Sequence, residues 1–99
     1  MLNINKTRDG NALTVALQGR LDTATAPQLE AELKSSLQGI SALVLDFGNL
    51  EYISSAGLRV LLSTQKLMKN QGEMKLVRVS EVVNEIFEVS GFSDNLTIE

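Results

Sequence analysis

Tyr52-Ile53-Ser54-Ser55-Ala56-Gly57-Leu58-Arg59-Val60-Leu61-Leu62 is the stretch whose reading decides the fold. It follows Ala42-Leu43-Val44-Leu45-Asp46-Phe47, a near-continuous apolar run bounded by Gly48-Asn49. Such a run reads as a strand buried on both faces. Leu58, Leu61 and Leu62, continued by Met68, share one side of a helix. Two serines therefore stand where the chain leaves a buried strand, crosses a short loop and starts a helix. The first turn of a helix carries unpaired N–H groups and the positive end of the macrodipole. A phosphate on Ser54 or Ser55 would be accommodated there. Arg59, four residues past Ser55, falls on the same helical side and can approach that phosphate. Equally, either serine can be a plain N-cap, a position that serine favours.

Working outward, Leu2, Ile4 and Lys6 alternate with Asn3, Asn5 and Thr7, and Leu13, Val15 and Leu17 repeat with a period of two. Both segments read as strands, joined into an antiparallel hairpin by the turn dipeptide Asp9-Gly10. The polar Asn3, Asn5 and Thr7 suit an edge strand. Gly19 ends the second strand, and Gly19 to Thr25 form a loop. Thr25 and Gln28 have the spacing of a capping box, and Pro27 falls in the first helical turn. Leu29, Leu33 and Leu37 give that helix its apolar side, with Gly39 as the C′ residue.

Beyond the buried strand, Gly48-Asn49 turns the chain, and Leu50, Tyr52 and Ile53 carry it to the serines. Tyr52 packs beneath the loop. The central helix runs from about Ser55 to Asn70 and is terminated by Gly72, with Lys66 and Lys69 near its negative end. Met74 to Val79 read as a strand. Ser80 caps a last helix with Glu81 in its first turn, and Val82, Val83, Ile86, Phe87 and Val89 form its apolar face. Gly91 is a left-handed stop, after which Phe92 would pack on Phe87. Leu96-Thr97-Ile98 would add a short terminal strand. The order β-β-α-β-α-β-α-(β) implies an α/β fold in which helical crossovers join parallel strands.

The chain has 99 residues, enough for one domain spanning 1–99. A hydrophobic fraction of 43% supports a packed core. With no cysteine there is no disulfide, thiol nucleophile or thiolate metal site. With no histidine, the commonest general base and metal ligand is missing. A net charge of −3 without a basic cluster argues against direct nucleic-acid binding. The N-terminal residues lack the apolar core of a signal peptide, and no apolar run reaches membrane-spanning length. These features lead to an expectation of a cytoplasmic protein that does not insert into membranes.

Catalytic chemistry fares poorly. A serine nucleophile needs a base, and neither histidine nor a Ser-x-x-Lys pattern supplies one. The Gly-x-Ser-x-Gly elbow is absent. Asp46 at a strand end is not a phospho-accepting aspartate, because the neighbouring strand end, Leu17-Gln18-Gly19-Arg20, offers no acidic pair for Mg²⁺. It instead satisfies local backbone donors. No glycine-rich phosphate loop occurs. The expectation is a non-enzyme with no catalytic residues, metal or cofactor. Asp22, Thr23 and Thr25 can either form turn bonds or contact a partner beside the serines. The small Ala24, Ala26 and Ala56 would leave that rim flat.

Ser54-Ser55-Ala56-Gly57-Leu58-Arg59-Val60-Leu61-Leu62, after a buried strand and a Leu-x-Tyr-Ile lead-in, resembles the STAS domain, the fold of anti-sigma factor antagonists. Gly19 to Ala26 resemble the family's loop after its second strand. Met74 to Val77 and Val89 to Phe92 resemble its last strand and C-terminal segment. The resemblance implies a mixed, mostly parallel sheet of four or five strands, an antiparallel N-terminal hairpin and three main helices on one face. It implies that Ser55, two residues before Gly57, is phosphorylated by a partner kinase, with Ser54 as second choice. It further implies a partner-binding rim of Asp22, Thr23, Ala24, Ser54, Ala56, Gly57 and Arg59. The partners would be an anti-sigma factor that is a serine protein kinase, and a serine phosphatase that reverses the modification. The outcome would be regulation of sigma-factor-dependent transcription. Phosphorylated members commonly carry aspartate where this chain has Ser54. The alternative is an accessory interaction subunit of a transporter or signalling complex, without a phosphorylation cycle.

Overall fold

The computed structural model describes residues 2–91 and 96–99. Strand β1 (Leu2–Asp9) pairs antiparallel with β2 (Ala12–Leu21). Helix α1 (Ala26–Ser36) leads to β3 (Ala42–Ile53), which lies parallel to β2. Helix α2 (Ser55–Lys69) leads to β4 (Glu73–Val77), parallel to β3, and α3 (Glu81–Ser90) follows. The sheet order is β1-β2-β3-β4. Past the described helices, Leu76 N–H donates to Thr97 O and Glu99 N–H to Leu76 O, so Ile98 bridges β4 in parallel. The terminal strand expected at residues 96–98 is present as that single bridge. The α/β class and the mixed sheet agree with the sequence reading.

One core holds the domain together. Leu13, Val15 and Leu17 of β2 and Leu43, Leu45 and Phe47 of β3 are buried at alternate positions. They meet Leu29 and Leu33 of α1, Leu58 and Leu61 of α2, and Val83 and Phe87 of α3. The rings of Phe47 and Phe87 lie 6.3 Å apart, in a tilted pair. Between the buried positions of β3, Ala42, Val44 and Asp46 are only half-buried. The strand is therefore not buried on both faces, as its composition suggested. The helices cover one face, and the other carries small, β-branched, polar and charged residues, among them Ala42, Val44, Asp46 and Lys75.

The expected turn at Gly48-Asn49 does not exist. Strand β3 runs through it to Ile53, with two irregularities. Between the pairs Ala16–Asp46 and Gln18–Asn49, β2 advances by two residues and β3 by three. From Gly19–Leu50 to Arg20–Tyr52, β3 again gains one. Each extra residue is a bulge that shifts which side chains face the core. Burial accordingly steps from Phe47 to Leu50 to Ile53 rather than by twos. Strand β2 likewise continues past Gly19 to Leu21, and Gly19 takes φ 106 at the second irregularity instead of ending the strand.

Other local expectations shift. The hairpin loop is Gly10-Asn11, since Asp9 pairs with Ala12. Gly10, with φ 63, occupies the first loop position. The capping box does not form: Thr25 makes no side-chain cap bond. Its hydroxyl donates to Arg20 O at 2.8 Å, while the Gln28 amide donates to Leu2 O. The αL glycine Gly39 stands two residues past the Leu37 C-cap rather than next to it. Strand β4 stops at Val77 because Arg78 adopts φ 55. The Ser80 cap is present, accepting from Val83 N at 3.2 Å, and Gly91 closes α3 at φ 78. Val82 and Val89 are 58% and 88% exposed, so α3 buries a narrower face than its composition suggested. The packing expected of Phe92 lies outside the described residues.

Gly72 marks the tightest backbone approach. A Cβ there would stand 1.8 Å from the Ser41 carbonyl oxygen, which also accepts the Glu73 N–H at 2.9 Å. Gly72→Ala must push β4 away from the entry of β3. It is expected to cost about 3 kcal/mol, a drop in melting midpoint of roughly 12 °C or more, read by thermal denaturation. Gly10→Ala has open space and bears only its positive φ, so it should cost about 1 kcal/mol.

Candidate functional site

The candidate site forms where β2 and β3 end together. Leu21 pairs with Ile53, and Ser54 N–H donates to Leu21 O at 2.8 Å. These bonds hold the Asp22–Ala24 loop beside the start of α2. The first turn of α2 then lies directly on the strand ends. A Cβ on Gly57 would come within 2.7 Å of Leu21 Cγ and 2.9 Å of Ile53 Cγ1. Glycine is needed at this position for close approach, since its φ is not in the positive region.

The two serines occupy different environments. Ser54 is the N-cap residue, with extended backbone (φ −98, ψ 175), yet its side chain makes no cap bond. Its Oγ is buried and lacks a hydrogen-bond partner among the described residues. Ser55 is the first helical residue and is exposed. Ser54 O accepts from Leu58 N, and no side chain among the described residues answers the helix's leading N–H groups. The positive end of α2 thus opens beside the exposed hydroxyl. Arg59 is also exposed, about 6 Å along the axis from Ser55. Ala56 is half-buried and Gly57 buried.

Asp22 has a structural task. Its Oδ1 accepts from Ala24 N and Thr25 N, each at 3.0 Å, and from the Thr25 hydroxyl at 3.2 Å. The Thr25 backbone N–H, opposed by partial desolvation and aided by the Thr25 hydroxyl and Ala24 N–H, lowers its pKa from the ordinary carboxylate value. Thr25 Oγ1 also accepts from Asp22 N at 2.9 Å, which locks the loop into one shape. Thr23 and Ala24 are exposed at its tip. The structure thus brings all the expected rim residues to one end of the sheet.

Two features were missed by sequence reasoning. Arg20 and Tyr52 face each other across β2 and β3, with the guanidinium 4.5 Å from the ring centroid. Tyr52 is half-buried, and the group over its ring is Arg20 of the adjacent strand, where packing beneath the loop was expected. The second is a clamp below the rim. Asp46 accepts from Gly48 N–H, displaced by the bulge, at 2.9 Å. It also takes a bidentate pair from Arg78, Nε at 2.9 Å and Nη2 at 2.8 Å. The backbone role expected for Asp46 is there, and Arg78 is added to it. Arg78 lies across Gly48, where a Cβ would meet its guanidinium carbon at 2.5 Å. In the sequence this contact leaves Gly48 as its trace, and the left-handed backbone of Arg78 is visible only in the structure.

Comparison with known proteins places these features in a family. A family model described as "STAS domain" matches residues 3–99. BtrV of Bordetella bronchiseptica, provisionally named an anti-sigma factor antagonist, is 49% identical over 82 residues, covering 81% of this chain and 71% of that protein. The anti-sigma-B factor antagonist of Staphylococcus aureus is 33% identical over 95 residues, covering 94% and 88%. The Bacillus cell fate determinant SpoIIAA, solved in its phosphorylated form, superposes with a TM-score of 0.76 at 17% identity, covering 98% of this chain and 91% of that one. No helix among the described residues is long and apolar enough to cross a membrane.

The Asp46–Arg78 pair predicts a pH dependence. The guanidinium bond, opposed by desolvation and aided by the Gly48 N–H, lowers the Asp46 pKa from the ordinary carboxylate value. A depressed folded-state pKa contributes stability above the unfolded value and loses it as pH falls through the folded one. Arg78→Gln should therefore melt slightly below the wild type at pH 7. The gap stays small because the Arg78 side chain is 65% exposed and screened. It should close as the pH is lowered from about 4 to about 2. A gap that persists at pH 2 would assign the effect to packing over Gly48 instead of charge.

Proposed function

The chain belongs to the STAS domain family, and on that premise we propose that it is an anti-sigma factor antagonist switched by phosphorylation of Ser55. Unphosphorylated, the rim around Ser55 binds an anti-sigma factor and frees the sigma factor for transcription. That anti-sigma factor is itself a serine protein kinase, which transfers phosphate from ATP to Ser55, and a serine phosphatase restores the free hydroxyl. The chain acts as a regulatory binding protein in the cytoplasm and not as an enzyme.

The observation that carries this reading is the contrast between the two hydroxyls. Ser55 is exposed at the first position of a helix whose N–H groups no side chain among the described residues caps, while Ser54 Oγ is buried. A kinase can reach the first and not the second without unwinding the helix start. Phosphate at Ser55 adds about −1.5 to −2 charges and a bulky group to the rim. The open end of α2 and Arg59 accommodate it without disturbing the fold. Thr23 and Ala24 stand beside it as the docking surface, the small Ala56 lets the partner come close, and Gly57 seats the helix start beneath them.

A second reading has its own support. Ser54 is neutral and its hydroxyl is buried, so the residue before Ser55 offers a kinase no acidic contact. A fixed interaction subunit of a larger complex would need none. Intact mass after incubation with the cognate kinase and ATP separates the two: a single added phosphoryl group, lost in Ser55→Ala, supports the switch. An unchanged mass supports the fixed subunit.

Binding to the kinase supplies the quantitative test. Ser55→Ala should retain wild-type affinity whether or not ATP is present. Ser55→Asp and phosphorylated protein should bind about 30- to 1000-fold more weakly, a loss of about 2–4 kcal/mol by isothermal titration. Equal affinities for all three forms would remove the switch.

A further inference from the structure

The chain carries nine cationic side chains, and six of them have partners within the fold. Four sit in ion pairs, Arg8 donates to the Gly10 carbonyl and Arg20 covers Tyr52. The remaining three, Arg59, Lys66 and Lys69, have no ion-pair or hydrogen-bond partner among the described residues, and all three are exposed on α2. Helix α2 contains no acidic residue, although the whole chain has a net charge of −3. Ser55, Arg59, Leu62, Lys66 and Lys69 follow each other at steps of four, three, four and three. On a helix of 3.6 residues per turn they stay within about 80° of one another, over about 21 Å. The half-buried Leu62 sits in the middle of this strip, in a shallow groove of about 410 Å³ edged by the three cations.

We propose that this strip is a docking surface for an acidic segment of a protein partner, with Ser55 at its head. Resting on the Ser55 reading above, it explains the sign of the switch. Three positive charges aligned on one helix face attract carboxylates, and Leu62 takes an apolar residue between them. A phosphate on Ser55 brings about 1.5 to 2 negative charges to the head of the strip and cancels half or more of its positive charge. The acidic segment then loses most of its attraction. Nucleic acid is the poorer occupant: three cations over this length meet only a fraction of its phosphates, the strip has no aromatic side chain for stacking, and the whole chain is acidic.

The test is an amide NMR titration of the full chain at low salt with a 12-residue glutamate-rich peptide carrying a central leucine. Shifts are expected to concentrate at residues 59–69, to vanish at high salt and to weaken about tenfold in Lys66→Glu/Lys69→Glu. Lys66→Gln/Lys69→Gln, which spares the helix end from repulsive charge, should fall between. Ser55→Asp should also weaken binding. Shifts spread evenly over Lys6, Lys34 and Lys75 would overturn the proposal, as would tighter binding of an oligothymidylate strand to α2. A kinase-binding arm keeps the two readings apart. If Ser55→Asp releases the kinase while Lys66→Glu/Lys69→Glu binds like wild type, the strip is overturned and the switch stands. If the peptide maps to the strip and no form of the chain binds the kinase, the strip stands and the switch falls.

Discussion

The absence of a side chain at Gly57 is the constraint on which the site depends. It lets the first turn of α2 settle on Leu21 and Ile53. With the helix seated there, Ser54 N–H reaches the Leu21 carbonyl and the two strand ends are tied into one rim. That seating turns the Ser54 side chain inward, where its hydroxyl finds no partner among the described residues, and leaves Ser55 outside. A buried unpaired hydroxyl has a cost. The burial of Leu58, Val60 and Leu61 in the same helix offsets that cost.

The bulges in β3 serve the same end. Without them, the strand would present alternate residues to the core as far as Ile53, and Leu50 would face solvent. Two extra residues return Leu50 and then Ile53 to the helical side. They also lengthen β3 so that it ends level with β2, well past the end of β4. The rim is therefore a projecting two-stranded ledge. Its base is held by Asp46, which collects the Gly48 N–H at the first bulge and the Arg78 guanidinium from the β4–α3 connection. An irregular strand is stabilised where it departs from regularity.

Charge is distributed unevenly over this scaffold. Helix α3 carries Glu81, Glu85 and Glu88 with no cation, whereas α2 carries Arg59, Lys66 and Lys69 with no anion. The short-range ion pairs elsewhere neutralise their own surroundings. The field of α2 is left uncancelled and runs along the helix away from the exposed Ser55 hydroxyl, over a surface four turns long.

Strand and helix order, the parallel crossovers, the Ser80 cap, the left-handed Gly91 and the serine-bearing helix start were legible from residue pattern alone. These features are local: each depends on the period of apolar residues or on the φ preference of one residue type. The bulged half of β3 was not legible, because a spacing of three between Phe47, Leu50 and Ile53 matches neither a strand nor a helix. The Thr25 cap was misjudged because its hydroxyl had two competing partners, and only the path of β2 past Gly19 brings the Arg20 carbonyl within reach. Asp46 and Arg78 are 32 residues apart, and Arg20 and Tyr52 meet only across the sheet. The sequence by itself determined which residues could line a rim and which serines could carry a charge. The tertiary structure decided which hydroxyl faces water, because burial is set by where α2 lands on Leu21 and Ile53, and no neighbouring residue in the chain encodes that contact.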